Sequence, residues 1–290
     1  MNFVNIILLI CVILATAFHR VGSKAYMLKT KNGAYAFNIL NVSGPILIYL
    51  LCGGFKFGYP PSLYLYAAAF AILFLFAAIG TLEAIGEGSL ALTSLVVAYS
   101  PLIPTFYGLI FLGEKATYTL FVGLIFLCIS LVLINFEKKG EKKKITFKWI
   151  ILVFLGFIGD GGKNLMLTIQ QNVYKGQYSN EYLVISFLMI LVVCVIVALV
   201  KERENLKFNL KKGALWSLIC GLMTGIINLF VSILSNPARN MPASVMFPIK
   251  AAGGIIASLL VAVFVFKEKL SKAQIFGLIM GIISIVFLSM

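Results

Sequence analysis

The chain has one histidine, His19, and none of its cysteines stand at a metal-binding or redox spacing. That excludes a multi-histidine metal centre, and a lone histidine argues poorly for a proton relay. Cys11, Cys52, Cys128, Cys194 and Cys220 all lie inside apolar runs. They read as small buried side chains, neither disulfides nor metal ligands. No HExxH, GxSxG, P-loop or CxxC motif occurs. An enzyme is therefore not expected, no cofactor is implied, and ATP-driven transport would lack its nucleotide-binding part. Acidic residues are scarce, 10 against 24 basic ones. No stretch is long enough for a soluble domain, and ten-residue alternating strands of the barrel kind are missing. The N-terminus has no charged region and no small-residue cleavage site, so a removable signal peptide is not expected.

What the chain has in abundance is apolar sequence: 61% of 290 residues, with a mean hydropathy of +1.03. A soluble protein could not hide that much apolar surface, so the solvent is lipid. Ten helical spans are expected at Phe3–Leu28, Ala34–Phe55, Leu63–Leu82, Ser89–Leu112, Thr117–Phe136, Trp149–Val173, Glu181–Val200, Gly213–Leu234, Ala243–Phe266 and Lys272–Met290. Pro101 and Pro104 should kink the fourth. The net charge of +14 invites a nucleic-acid reading. Its lysines, however, crowd into connections such as EKKGEKKK (Glu137–Lys144) and KERENLKFNLKK (Lys201–Lys212), the pattern of cytoplasmic loops, so no nucleic-acid partner is expected.

The two ends of the chain's halves repeat one another. FLGEKATYTLFVGLIFLCISLV (Phe111–Val132) sets Glu114, Lys115, Gly123 and Ser130 against Glu268, Lys269, Gly277 and Ser284 of VFKEKLSKAQIFGLIMGIISIV (Val265–Val286), without gaps. A shorter echo sets GSKAYML (Gly22–Leu28) against GGKNLML (Gly161–Leu167). Both in the same order indicate a five-plus-five duplication, with halves 1–140 and 141–290. Five is odd, so the two copies must lie in the membrane with opposite orientations, an architecture of secondary transporters with the site at the midplane. The expected fold is thus an all-α integral membrane protein of ten helices in two inverted repeats. Lys24 and Lys163 would approach its centre from opposite sides.

The stretch SPLIPTFYGLIFLGEKATYTLFVG resembles the EamA-type pattern of the drug/metabolite transporter superfamily. That pattern has a proline, thirteen residues on a glutamate in G-E-[RK], and nine further a glycine; here they are Pro101, Glu114 and Gly123. The second half keeps Glu268 and Gly277 but has Ile255 at the proline's place, with Pro248 seven residues earlier. VGSKAYML resembles the small-residue-rich first helix of that unit without its usual tryptophan. The resemblance implies a ten-helix permease, and members move amino acids, sugars, nucleotide derivatives and drugs.

Ionisable residues deep in a bilayer are functional candidates by default. In GFIGDGGKNLML (Gly156–Leu167), Asp160 and Lys163 sit three apart on one helical face, amid four glycines and beside Asn164. A neutral structural pair and a water-lined, substrate-meeting lysine are the two readings. In FPIKAAGGIIA (Phe247–Ala257), Lys250 follows Pro248 and is placed in a cavity in preference to snorkelling. Arg20 and His19 are buried if the first span runs to Leu28. Asn38 and Asn41 share a face of span two and serve either substrate or interhelical packing. Tyr99 lines the cavity or packs as an ordinary aromatic. Glu83 and Glu87 are expected at an interface, and Glu114 and Glu268 near the N-terminus of the helix that follows each.

Sixteen of the 24 basic residues fall in loops opposite the termini and four (Lys56, Lys115, Lys175, Arg239) on the termini's side. The positive-inside rule then puts both termini outside, whereas the resemblance implies a cytoplasmic placement for many ten-helix members. The reading that results is a multi-pass protein of a bacterial plasma membrane. It moves a small organic metabolite by alternating access, with substrate-binding residues Lys24, Asn38, Asn41, Tyr99, Asp160, Lys163, Asn164 and Lys250. The excess of deep cations favours a carboxylate- or phosphate-bearing solute, with an amino acid as the leaning. Proton coupling through Asp160 and homodimerisation stay open, a monomer being sufficient. A multidrug or cation exporter, a non-transporting scaffold and a lipid flippase are the alternatives.

Overall fold

The computed structural model describes residues 2–30, 33–53, 58–88, 90–135, 146–265, 267 and 269–290. Glu268, Lys31, Lys56 and the EKKGEKKK linker lie outside the described residues. Those described form helices and no strand. Span one is Phe3–Lys29 and span two Ala34–Gly53. Span three, Ser62–Glu87, carries a π-turn at Phe76–Gly80. Span four is broken into Leu90–Ala98 and Leu102–Phe111, and span five is Tyr118–Asn135. Spans six to ten are Phe147–Val173, Ser179–Lys201, Leu206–Leu234, Ala243–Phe264 and Lys272–Ser289. Nine of the described helices are long and apolar enough to cross a membrane, and span five is a slightly shorter apolar one.

Two boundaries differ from expectation, and the kink expected in span four is a full break at the first of its two prolines. Span three continues through Glu83 to Glu87, because the π-turn absorbs an extra residue without ending the helix. Span eight starts at Leu206 instead of Gly213. Its first turns are amphipathic, with Asn209 buried and Lys207, Lys211 and Lys212 exposed. Span four breaks at Tyr99–Pro101. Pro101 has no N–H, so the carbonyl of Val97 takes a bond from Ser100 N–H (3.0 Å) instead, and Ser100 O from Ile103 N–H (3.0 Å).

Close helix approach is achieved with glycine. Gly44 of span two lies against the backbone of Gly221 in span eight, where a side chain would collide. Tyr49 Oη crosses the same seam to Gly225 O (3.0 Å). Spans five and ten join by a reciprocal pair: Ser130 Oγ donates to Gly277 O (2.7 Å) and Ser284 Oγ to Gly123 O (2.8 Å).

Contacts between helix ends define two faces. The terminal face carries both chain termini, and Asn5 Nδ2 there donates to Arg239 O (3.0 Å). Its buried amide network holds Gln171 Nε2 within 2.9 Å of Ser232 Oγ and 2.7 Å of Gln170 Oε1. The opposite, basic face is tied by Glu202, which accepts from Tyr35 N–H (2.7 Å) and Ala36 N–H (3.0 Å) at the start of span two. Tyr35 Oη donates to Glu83, and Lys148 pairs with Glu87. Of the twelve largest fully buried side chains among the described residues, ten lie in the half nearer the terminal face; Leu131 and Ile190 are the others. Packing is therefore tighter there than toward the basic face.

Candidate functional site

Asp160 stands at the midpoint of the 27-residue span six, about 20 Å from either end at 1.5 Å per residue. The glycines around it pack. Gly156 and Gly159 meet span three at its π-turn, and Gly161 meets Ser100 and Ile103 of span four. A side chain on Gly159 would run into the backbone of Ala77. Small residues thus bring spans three and four close to the charges of span six.

Lys163 Nζ lies 2.7 Å from Asp160 Oδ1, the two side chains being 22% and 29% exposed. Ser100 Oγ, turned inward by the break in span four, donates to Asp160 Oδ2. Asn164 Nδ2 donates to Asp160 O (2.8 Å), an ordinary back-bond along the helix. Its Oδ1 accepts from Lys250 Nζ of span nine at 2.9 Å. Aromatic faces stand beside both ammonium groups: Phe74 is 5.2 Å from Lys163 Nζ and Phe247 5.8 Å from Lys250 Nζ. Arg20 lies on span one, nine residues inside its end, remains exposed, and interacts electrostatically with Asp160.

Asp160, Lys163, Asn164 and Lys250 are thus brought together. The remaining candidates lie elsewhere in the bundle or bond to other partners. Asn41 is buried and accepts from Thr224 Oγ1 (3.0 Å), with His19 Nε2 at 3.3 Å, joining spans one, two and eight. Asn38 Nδ2 donates to Ala34 O of its own helix (3.1 Å). Tyr99 Oη donates to Cys128 O of span five (3.2 Å). Lys24 is half-buried, one turn beyond Arg20 toward the basic face.

Two contributors were not singled out from the sequence. Ser100 had a signal, a hydroxyl directly before the proline expected to kink the helix. The cavity of about 360 Å³ on the terminal face had none. It is lined by Glu114, Thr168, Asn172, Ser235, Asn240 and Met246 among others, with Thr168 and Met246 one turn outside Asn164 and Lys250. Glu114 caps a helix, though not the one that follows it. Its two oxygens accept from Ala243 N–H (2.7 Å) and Ser244 N–H (2.8 Å), the first turn of span nine. Among the described residues no group of three His, Cys, Asp or Glu could hold a metal ion.

Residues 165–290 match the model of the EamA-like transporter family. A solved crystal structure superposes with a TM-score of 0.77 at 12% identity, covering 99% of this chain and 98% of its own, which is a likeness of fold. No curated protein matches the sequence.

Proposed function

We propose that this chain, whose residues 165–290 match the EamA-like transporter family, is a member of the drug/metabolite transporter superfamily and works as a secondary transporter of an organic solute bearing a carboxylate or phosphate. The observation that carries the reading is the partly exposed Asp160–Lys163 pair at mid-membrane, joined through Asn164 to Lys250. Ionised groups exposed at that depth are costly in hydrocarbon, so the space beside them is a water-filled cleft. Spans four, six and nine meet there, and span one packs on span nine at Gly253 and Gly254.

Alternating access by two inverted halves, 1–140 and 141–290, is supported by the pairing of contacts. Span two packs on span eight and span three on span seven; span one packs on spans eight and nine and span six on spans three and four. Each is the partner of the other under exchange of the halves. The reciprocal Ser130 and Ser284 bonds follow the same exchange. The tight terminal half and the looser basic half fit a state closed on the first and open on the second. With the basic face in the cytoplasm, this state is inward-open. One chain contains both halves and the site between them.

The test is two-sided accessibility. With the native cysteines replaced and a cysteine at position 250, an impermeant maleimide should label the protein from either face of oriented vesicles. Labelling from neither face means a scaffold with no central cavity.

A further inference from the structure

Asp160 is the single aspartate of the chain, and the six described glutamates fall at helix ends or between spans. Among the described residues no second carboxylate is therefore available at mid-membrane. Three cations share that one carboxylate: Lys163 by direct contact at 2.7 Å, Lys250 through Asn164, and Arg20 from span one, one turn beyond the Thr16 that packs on Gly254 of span nine. Both oxygens of Asp160 are engaged, one by Lys163 and the other by Ser100. Each oxygen keeps one further acceptor site, but the charge of Asp160 is already matched by Lys163, so an incoming ammonium would compete with that lysine. The cations are better placed for a ligand. Lys250 spends one of its three donors on Asn164, and Arg20 makes no hydrogen bond to another described residue while remaining exposed.

From this imbalance we infer that the solute is a dianion, a phosphate monoester or a dicarboxylate, held by Lys250 and Arg20 beside the Asp160–Lys163 pair. The inference rests on the transporter reading and narrows it. Two uncompensated positive charges at this depth are expensive, and a dianion cancels both. A zwitterion such as an amino acid cancels neither, and a lipophilic cation adds a third. Arg20 presents a planar fork suited to two oxygens of one acid group, and Lys250 a point charge for the other or for a third phosphate oxygen. Arg20 thus becomes a specificity residue, although span one's repeat motif had pointed to Lys24.

The experiment is thermal unfolding of the purified full chain with glycerol 3-phosphate, succinate, lactate, serine and tetraethylammonium, each at about 10 mM and matched ionic strength. A ligand of the folded state raises the unfolding temperature by mass action. One or both dianions should stabilise while serine and tetraethylammonium do not, and the responding dianion names the acid group. Arg20→Gln and Lys250→Gln each remove one charge, so each should weaken the dianion at least about tenfold and let lactate stabilise instead. Serine or tetraethylammonium stabilising as well as the dianions overturns the inference, as does a dianion response unchanged in both variants, or none at all. Accessibility of position 250 from both faces is a separate readout. If it holds while a zwitterion binds, the transporter reading stands and the dianion falls.

Discussion

The Glu114 clasp at the start of span nine lies directly outside Lys250, and its removal should change which face of the protein opens. The carboxylate receives two backbone N–H groups at 2.7 and 2.8 Å, the two donors of this helix N-terminus that would otherwise lack intrahelical partners, since Val245 and Met246 N–H both reach Pro242 O. Hydrogen bonds to a charged group contribute about 1.5–3 kcal/mol each. Glu114 is half-buried, so the lower figure applies to both, about 3 kcal/mol in total. Water can reach the freed amides through the adjoining cavity and returns about 1 kcal/mol. Glu114→Ala should then weaken closure of the terminal face by about 2 kcal/mol, roughly thirtyfold in the closed-to-open ratio. Glu114→Gln keeps one acceptor oxygen and should fall between. The assay is the rate at which a cysteine at position 246, buried one turn outside Lys250, reacts with an impermeant maleimide added from the terminal face. The rate should rise by on the order of tenfold or more in Glu114→Ala. An unchanged rate, with the melting temperature lowered all the same, would refute the gating role and leave the clasp as a staple.

Ser130→Ala and Ser284→Ala each lose one buried hydrogen bond across the span five–span ten seam. Each should cost about 0.6–1.7 kcal/mol, the two values agreeing closely if the seam lies on the two-fold axis, as read by reversible unfolding in mixed micelles. Asp160→Asn strands Lys163 and should destabilise by on the order of 2 kcal/mol, whereas Asp160→Asn with Lys163→Met recovers much of that; a double-mutant cycle on melting gives the coupling. Gly44→Leu drives a side chain into the backbone of Gly221 and should abolish assembly of the bundle, seen as loss of a monodisperse peak in size-exclusion chromatography.

Local features were the ones legible in the sequence. Helix positions follow from apolar runs, and the Asp160–Lys163 contact from a spacing of three. The break at Tyr99–Pro101 follows from a proline, and the equivalence of Ser130 and Ser284, though not the bonds they make across the seam, from the internal repeat. Long-range partnerships were not. Lys250 and Asn164 were both candidates, yet nothing in either segment shows that 86 residues of separation close to 2.9 Å. Glu114 was assigned to the helix that follows it and in fact reaches one 129 residues away, because a carboxylate satisfies whichever helix N-terminus the bundle places beside it. Glu202, in a run that read as a charged loop, caps span two for the same reason. The glycines of span six could equally have meant a loose helix or a close one. The π-turn of span three, which sequence periodicity cannot foretell, makes them contacts.

Counterflow in proteoliposomes tests the central claim most directly. Vesicles carrying the reconstituted protein are loaded with unlabelled glycerol 3-phosphate or succinate and diluted into a trace of the labelled compound. A secondary transporter whose site is built on Lys250 gives transient, saturable accumulation of the label that disappears in Lys250→Gln while the variant still folds. Accumulation equal in the variant and the unaltered protein, or no accumulation above empty vesicles for either compound, would contradict it.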